Sequence, residues 1–149
     1  MKLCSVIYKT ITEMKADYRS MQAPHLIIIG GGFAGLELVK RLNNKPVRVT
    51  LLDKNNYHTF QPLLYQIASG GLGPDAIAYP LRKIVSKIPN IAFRMAEVQK
   101  VDTVQQKVFT NIGEFGYDYL CVATGSETNF FGNAALEKTA CSLNPFPMH

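Results

Sequence analysis

Tryptophan is absent from the 149 residues, and cysteine occurs only at Cys4, Cys121 and Cys141, with no CxxC pair. An odd, widely spaced set speaks against a disulfide scaffold or a dithiol redox centre and suits a reducing compartment. Cys121, inside the apolar run "YLCVAT", reads as a small buried thiol. No uninterrupted apolar run reaches the roughly 18 residues that a membrane-spanning helix requires. The first residues are basic and briefly apolar, but Glu13 and Asp17 follow without a small-residue cleavage site, so a signal peptide is not expected. Positive charge is in excess, formally +5, yet it is scattered. Without zinc-finger spacing or RNA-binding aromatics, no nucleic acid partner is expected. Ser-His-Asp sets, paired carboxylates and metal-ligand clusters are missing too, so neither a catalytic triad nor a metal site is assigned.

What is present fits one globular domain with a real core, at 47% hydrophobic and 18% charged residues. Residues 1–24 lack a strong period and end at Ala23-Pro24, as an N-terminal extension would. From His25 the pattern sharpens. "HLIII" is a short isoleucine-rich run, expected of a parallel strand buried on both faces. Phe33, Leu36, Leu38, Val39 and Leu42 then recur at helical spacing, with Lys40 and Arg41 in the last turns. "NNKP" closes that helix, and "VRVTLLD" forms a second strand ending at Asp53. Strand, glycine turn, helix and strand make a βαβ unit of about 30 residues.

The glycines in its first turn follow G-x-G-x-x-G at Gly30, Gly32 and Gly35. Gly30 would make the tight turn, Gly32 would admit a pyrophosphate, and Gly35 would let helix and sheet pack closely. The helix N-terminus, from Phe33 and Ala34 onward, offers unpaired N–H groups to phosphate. Asp53 lies 18 residues beyond Gly35, close to the spacing at which a carboxylate meets a ribose hydroxyl pair. Its charge would repel a 2′-phosphate. The constellation therefore specifies an adenine dinucleotide with a free ribose, NAD or FAD, and does not choose between them.

A long connection follows, "KNNYHTFQPLLYQIASGGLGPD", rich in Asn, Gly and Pro but carrying many apolar residues. Loops of this length are usually functional, and this one is too apolar for disorder. His58 reads as a structural hydrogen-bond donor rather than a base. Phe60, Leu64 and Tyr65 read as packing groups that anchor the loop. "YPLRKIVSKI" predicts a basic amphipathic helix with Pro80 near its start, its Arg82, Lys83 and Lys87 face solvated. "IAFRMAEVQKVD" and "QKVFTN" predict two strands of a hairpin or meander, and "YDYLCVATG" a further buried strand stopping at a glycine. Asp118 reads as a capping or turn residue. The fold class is α/β: a Rossmann-like FAD/NAD(P)-binding fold with a parallel sheet and a β-hairpin or meander insertion, incomplete.

"DKNNYHTFQPLLYQIASGGL" and "YDYLCVATGSETNFFG" together resemble type II NADH:quinone oxidoreductases, from about His25 to about Asn133. These belong to the two-dinucleotide-binding flavoprotein superfamily. The resemblance implies FAD in the first βαβ unit. Gly30, Gly31, Gly32, Phe33, Ala34 and Gly35 would hold the pyrophosphate, and Asp53 with Lys54 would meet the adenosine ribose. It also implies that Gln61, Pro62 and Leu63 border the cofactor, and that Ala123, Thr124 and Gly125 bring a strand end against it. The implied chemistry is respiratory: hydride passes from NADH to FAD and electrons pass to a membrane quinone, with the flavin carrying the organic work. The implied location is cytoplasmic, or the cytoplasmic face of the inner membrane as a peripheral protein. Membrane contact would belong to the full-length form, and a homodimer is allowed.

The chain departs from that family in length. A second G-x-G-x-x-G unit for NADH is not found, and "GGLGPD" lacks the preceding buried strand. Residues 134–149 form an atypical tail, leaving 25–133 as a partial FAD-binding domain. The expectation is a truncated or frameshifted product with Met21 as an alternative start, and the competing reading is a stand-alone, non-catalytic dinucleotide-binding module. A disulfide-reductase-like or sulfide:quinone oxidoreductase is disfavoured by the missing cysteine pair. Val39 is bulkier than the small residue usual at its position and would loosen helix–sheet packing.

Overall fold

The computed structural model describes residues 23–126 and 129–139. Most of the expected extension and residues 140–149 of the expected tail lie outside them, as do Cys4 and Cys141. Four parallel strands form the central sheet: β1 (His25–Ile29), β2 (Arg48–Asp53), β5 (Ile91–Met95) and β9 (Tyr119–Val122), in the order β5-β2-β1-β9. Helix α1 (Phe33–Arg41) connects β1 to β2. Successive strands therefore run outward from β1 on one side, and β9 joins it on the other. The order reverses at β1, which opens a crevice beyond the carboxyl ends of the strands.

Alternation along β1 assigns its side chains to two cores. Leu26 and Ile28 pack with Leu36, Leu38, Val39 and Leu42 of the α1 segment, and with Leu81 and Val85 of the short helix α3 (Leu81–Val85). Ile27 and Ile29 pack on the opposite face with Leu52, Ala96 and Val108. Both faces are covered, which is why "HLIII" is continuously apolar rather than alternating. Val39 is 0% exposed, its extra bulk packed inside the first core.

The second face is covered by an antiparallel meander of β6 (Val98–Asp102), β7 (Lys107–Thr110) and β8 (Gly113–Gly116). Two expectations need correction here. "IAFRMAEVQKVD" is not one meander strand: it divides at Ala96-Glu97, and its first half becomes β5 of the parallel sheet. The division is set by buried Ala96, whose N–H donates to the Asp53 carbonyl at 2.8 Å. The third meander strand, "GEFG", was not anticipated, because two glycines and a glutamate carry little strand propensity. Pairing with β7 and the packing of Phe115 on the second core hold it in place.

The long connection is structured. β3 (Tyr57–Thr59) pairs antiparallel with β4 (Ala78–Pro80), and between them run a 3₁₀ turn (Gln61–Leu63), helix α2 (Leu64–Ala68) and another 3₁₀ turn (Pro74–Ala76). Of the three expected anchors only Leu64 is buried, at 6% exposure, against 44% for Phe60 and 61% for Tyr65. The buried anchors are Leu64 and Ile77. α3 is shorter than the predicted amphipathic segment, ending before Ser86. Its pattern holds: Leu81 and Val85 are buried, and Arg82, Lys83 and Lys87 are exposed. β9 is less buried than predicted, because among the described residues it is an edge strand; Cys121 is half-buried and Val122 exposed. Helix α4 spans Ala134–Thr139.

Candidate functional site

The site forms where β1 stops. Gly30 takes φ +104° and donates its N–H to the Leu52 carbonyl at 2.8 Å, while Ala123 donates to Ile29 at 2.8 Å. The chain thus leaves the sheet hydrogen-bonded to both neighbouring strands. A Cβ at Gly30 would collide with the Ala123 carbonyl oxygen, and one at Gly35 with the Gly30 carbonyl oxygen. Those two glycines are required for close packing. Gly32 differs: a Cβ there meets nothing within 4 Å, so its outer side is open.

Gly32 is also the N-cap of α1, with no side-chain cap hydrogen bond and no acidic residue in the first turn. The positive end of the helix, with its N–H groups, is left to whatever occupies the crevice. Between the loops lies a cavity of about 450 Å³. Its lining includes Gly30, Gly31, Gly32 and Phe33 from the first turn, Asp53 and Lys54 from the second, Gln61 from the connection, and Ala123 and Thr124 after β9. These residues come from four separate stretches of sequence, and the fold brings them together.

Five predicted residues stand outside that lining. Gly35 is buried in the helix–turn contact, and Ala34 is exposed on α1. Pro62 is exposed and Leu63 half-buried in the 3₁₀ turn beside Gln61. Gly125 is exposed at φ +74°, with open space where a Cβ would project, so backbone conformation rather than space calls for glycine there. The cavity also holds residues that no local sequence signal marks. Ala96, Glu97 and Val98 form one wall at the β5–β6 junction, and Asn55, Tyr57 and His58 approach from the connection. The place of β5 in the parallel sheet puts Ala96-Glu97 at its carboxyl end, beside the cavity.

Asp53 is half-buried and accepts two backbone hydrogen bonds, from Gly31 N–H to Oδ2 at 2.6 Å and from Asn55 N–H to Oδ1 at 2.7 Å. A carboxylate has about four acceptor positions, so capacity remains for a hydroxyl donor. His58 Nδ1 donates to the Gly31 carbonyl at 3.2 Å, in line with the expected structural hydrogen bond. Its ring meets Phe33 edge-on at 4.9 Å. Asp118 acts at the other end of the sheet as a turn residue, its Oδ2 accepting the His25 N–H at 2.6 Å.

A parallel sheet with a strand-order reversal, a glycine turn and an acid-ended second strand at its carboxyl edge defines a Rossmann-type dinucleotide-binding domain. The chain belongs to the pyridine nucleotide-disulphide oxidoreductase family, whose sequence pattern matches residues 24–145. It is 38% identical over 112 residues to the type II NADH:quinone oxidoreductase NdhA of Mycobacterium tuberculosis, covering 72% of this chain and 24% of that protein. A type II NADH:quinone oxidoreductase of Staphylococcus haemolyticus is 36% identical over 111 residues, 72% of this chain and 27% of that protein. The chain therefore spans about a quarter of the length of the curated relatives it matches. Among solved structures, NDH2 from Plasmodium falciparum in complex with NADH superposes with a TM-score of 0.69 at 26% identity, covering 78% of this chain and 25% of that one. The sulfide:quinone oxidoreductase of Aquifex aeolicus gives 0.67 at 32% identity, over 72% and 26%. The resemblance carried by "NNYHTFQPLLYQ" is borne out by these relatives.

Proposed function

We propose that this chain is the FAD-binding portion of an NADH:quinone oxidoreductase. The observation that carries the reading is the convergence, in one cavity, of the open Gly32 face at the α1 N-terminus with the Asp53 carboxylate. The first suits a pyrophosphate and the second a ribose hydroxyl, while the negative charge disfavours a 2′-phosphate. The open face at Gly32 and the acceptor capacity left on Asp53 suit FAD. Gly32, at the α1 N-terminus, would receive the pyrophosphate, with Gly30 and Gly31 shaping the turn beneath it, Asp53 would meet the adenosine ribose, and Ala123 and Thr124 would form the opposite flank.

When bound, FAD supplies a group able to accept a hydride and release electrons to a second acceptor. The chain's own part is positional. It fixes backbone donors, keeps a carboxylate at the ribose end and walls the cavity with the β5–β6 junction. NADH as hydride donor and quinone as acceptor are proposed from the names of the relatives. A membrane-surface location is proposed from the family resemblance; among the described residues no helix is long and apolar enough to cross a bilayer.

An absorbance titration of the purified chain with FAD, followed by NADH, tests this. Bound-flavin bands that bleach on adding NADH support the oxidoreductase reading. Bands without bleaching support a dinucleotide-binding module without catalysis. Uptake of neither FAD nor NAD overturns both.

A further inference from the structure

His58 reaches the glycine turn from 27 residues away, and nothing in the chemistry proposed above uses it. We propose that His58 is a positioning residue that sets the pyrophosphate-binding geometry of the glycine turn by holding the Gly31 carbonyl. This inference rests on the FAD-binding reading of the same cavity.

Gly31 is buried and confined on three sides. Its N–H donates to Asp53 Oδ2 at 2.6 Å, its carbonyl accepts from His58 Nδ1 at 3.2 Å, and the Leu81 side chain fills the space a Cβ would take. The two hydrogen bonds fix the peptide planes on both sides of the residue. In a trans peptide the carbonyl and the following N–H point in opposite directions. Holding the Gly31 carbonyl toward His58 therefore turns the Gly32 N–H away from it. That N–H precedes the first turn of α1 and belongs to the glycine whose outer side is open. The His58 bond thus selects one orientation of a donor at the mouth of the helix, where an anion would be received. Glycine permits several backbone conformations here, so the selection must come from outside the turn.

The long connection is built to deliver this contact. β3 carries His58 opposite Tyr79 of β4, and β4 leads directly into α3. Leu81 N–H donates to the Asn56 carbonyl at 3.2 Å, and Arg82 N–H to Asn56 Oδ1 at 3.2 Å. The ribbon bearing His58 is tied in this way to the helix whose Leu81 seals Gly31. The His58 ring also rests edge-on against Phe33, with an interplanar angle of 88°. The carbonyl can only accept, so Nδ1 must carry the proton and donate.

The test uses the full 149-residue chain, with FAD affinity read from flavin fluorescence and thermal midpoint measured without FAD. H58F keeps a ring against Phe33 but has no donor; H58N keeps a donor near the Nδ1 position but has no ring. Loss of one hydrogen bond that orders a phosphate donor predicts about tenfold weaker FAD binding in H58F, with H58N within about threefold of wild type. H58L replaces H58F if that variant does not fold. Equal affinity in all variants overturns the proposal while leaving the FAD reading intact. Retention in H58F with loss in H58N also overturns it, by assigning the effect to ring packing. A wild-type chain that binds no FAD removes the FAD reading and the inference with it.

Discussion

Asp53 and Gly31, 22 residues apart in sequence, meet at 2.6 Å, the carboxylate at the end of β2 accepting the N–H inside the glycine turn. The second carboxylate oxygen accepts from Asn55 at 2.7 Å, so one side chain orders the loops after both β1 and β2. Asparagine has a single acceptor oxygen and cannot satisfy both N–H groups. D53N is expected to lower stability by about 2 kcal/mol, as loss of a charge-assisted hydrogen bond does, and to weaken FAD binding as well. Urea unfolding with and without FAD separates the two effects.

The glycines make different predictions. G30A forces an L side chain into φ +104° and against the Ala123 carbonyl, and G35A drives a methyl into the Gly30 carbonyl. Each is expected to cost roughly 3 kcal/mol or more, G30A by strain and overpacking together and G35A by overpacking alone. G32A has ordinary φ −72° and free space, so its stability cost is expected to be about 1 kcal/mol or less, as for a weakened N-cap. Its effect belongs to the ligand: thermal melts should find G32A near wild type while FAD titration finds it impaired.

His25 supplies a pH dependence far from the cavity. Its Nδ1 donates to the Gly116 carbonyl and its Nε2 accepts from the Thr50 hydroxyl, both at 2.8 Å. Burial holds its pKa below the ordinary 6.5, helped by nearby Arg48 and opposed by the Gly116 carbonyl and Asp118. The unfolded chain therefore binds more protons than the folded one below pH 6.5. The stabilisation is complete above that value and is lost as pH falls through it toward the lowered folded value. Thermal midpoints should drop on going from about pH 7.5 to about pH 5.5, and H25Q should flatten that portion of the profile.

Asn90 closes the opposite end of the sheet. It is 5% exposed, and its Nδ2 donates to the carbonyls of Leu42 at 2.8 Å and Val47 at 3.0 Å, while Oδ1 accepts from Asn44 N–H at 3.2 Å. The turn from α1 into β2, including Asn44 at φ +57°, is held by this side chain together with backbone bonds such as Lys45 N–H to the Leu42 carbonyl at 3.1 Å. N90A strands several buried backbone groups and is expected to cost about 2 to 3 kcal/mol in urea unfolding.

The βαβ unit from His25 to Asp53 was legible because every signal in it is local. Continuous isoleucines, glycine spacing and the helical recurrence of Leu36, Val39 and Leu42 each act within a few residues. The cavity lining from Gly30 to Phe33, with Asp53 and Thr124, followed from that unit and from the family resemblance. Strand partnership was not legible. "IAFRM" has the same local pattern whether it joins a meander or a parallel sheet, and only the Ala96–Asp53 backbone bond and packing beside β2 decide it. The same holds for "GEFG", whose place depends on β7 and the second core.

The sequence by itself determined that a glycine turn would stand between a buried strand and an amphipathic helix, with a carboxylate on the next strand. Tertiary structure alone decided how that turn is held, because the contacts on Gly31 come from Asp53, His58 and Leu81, at sequence distances where no periodicity operates. A backbone free to turn in several ways acquires one conformation only when distant side chains pack and hydrogen-bond against it.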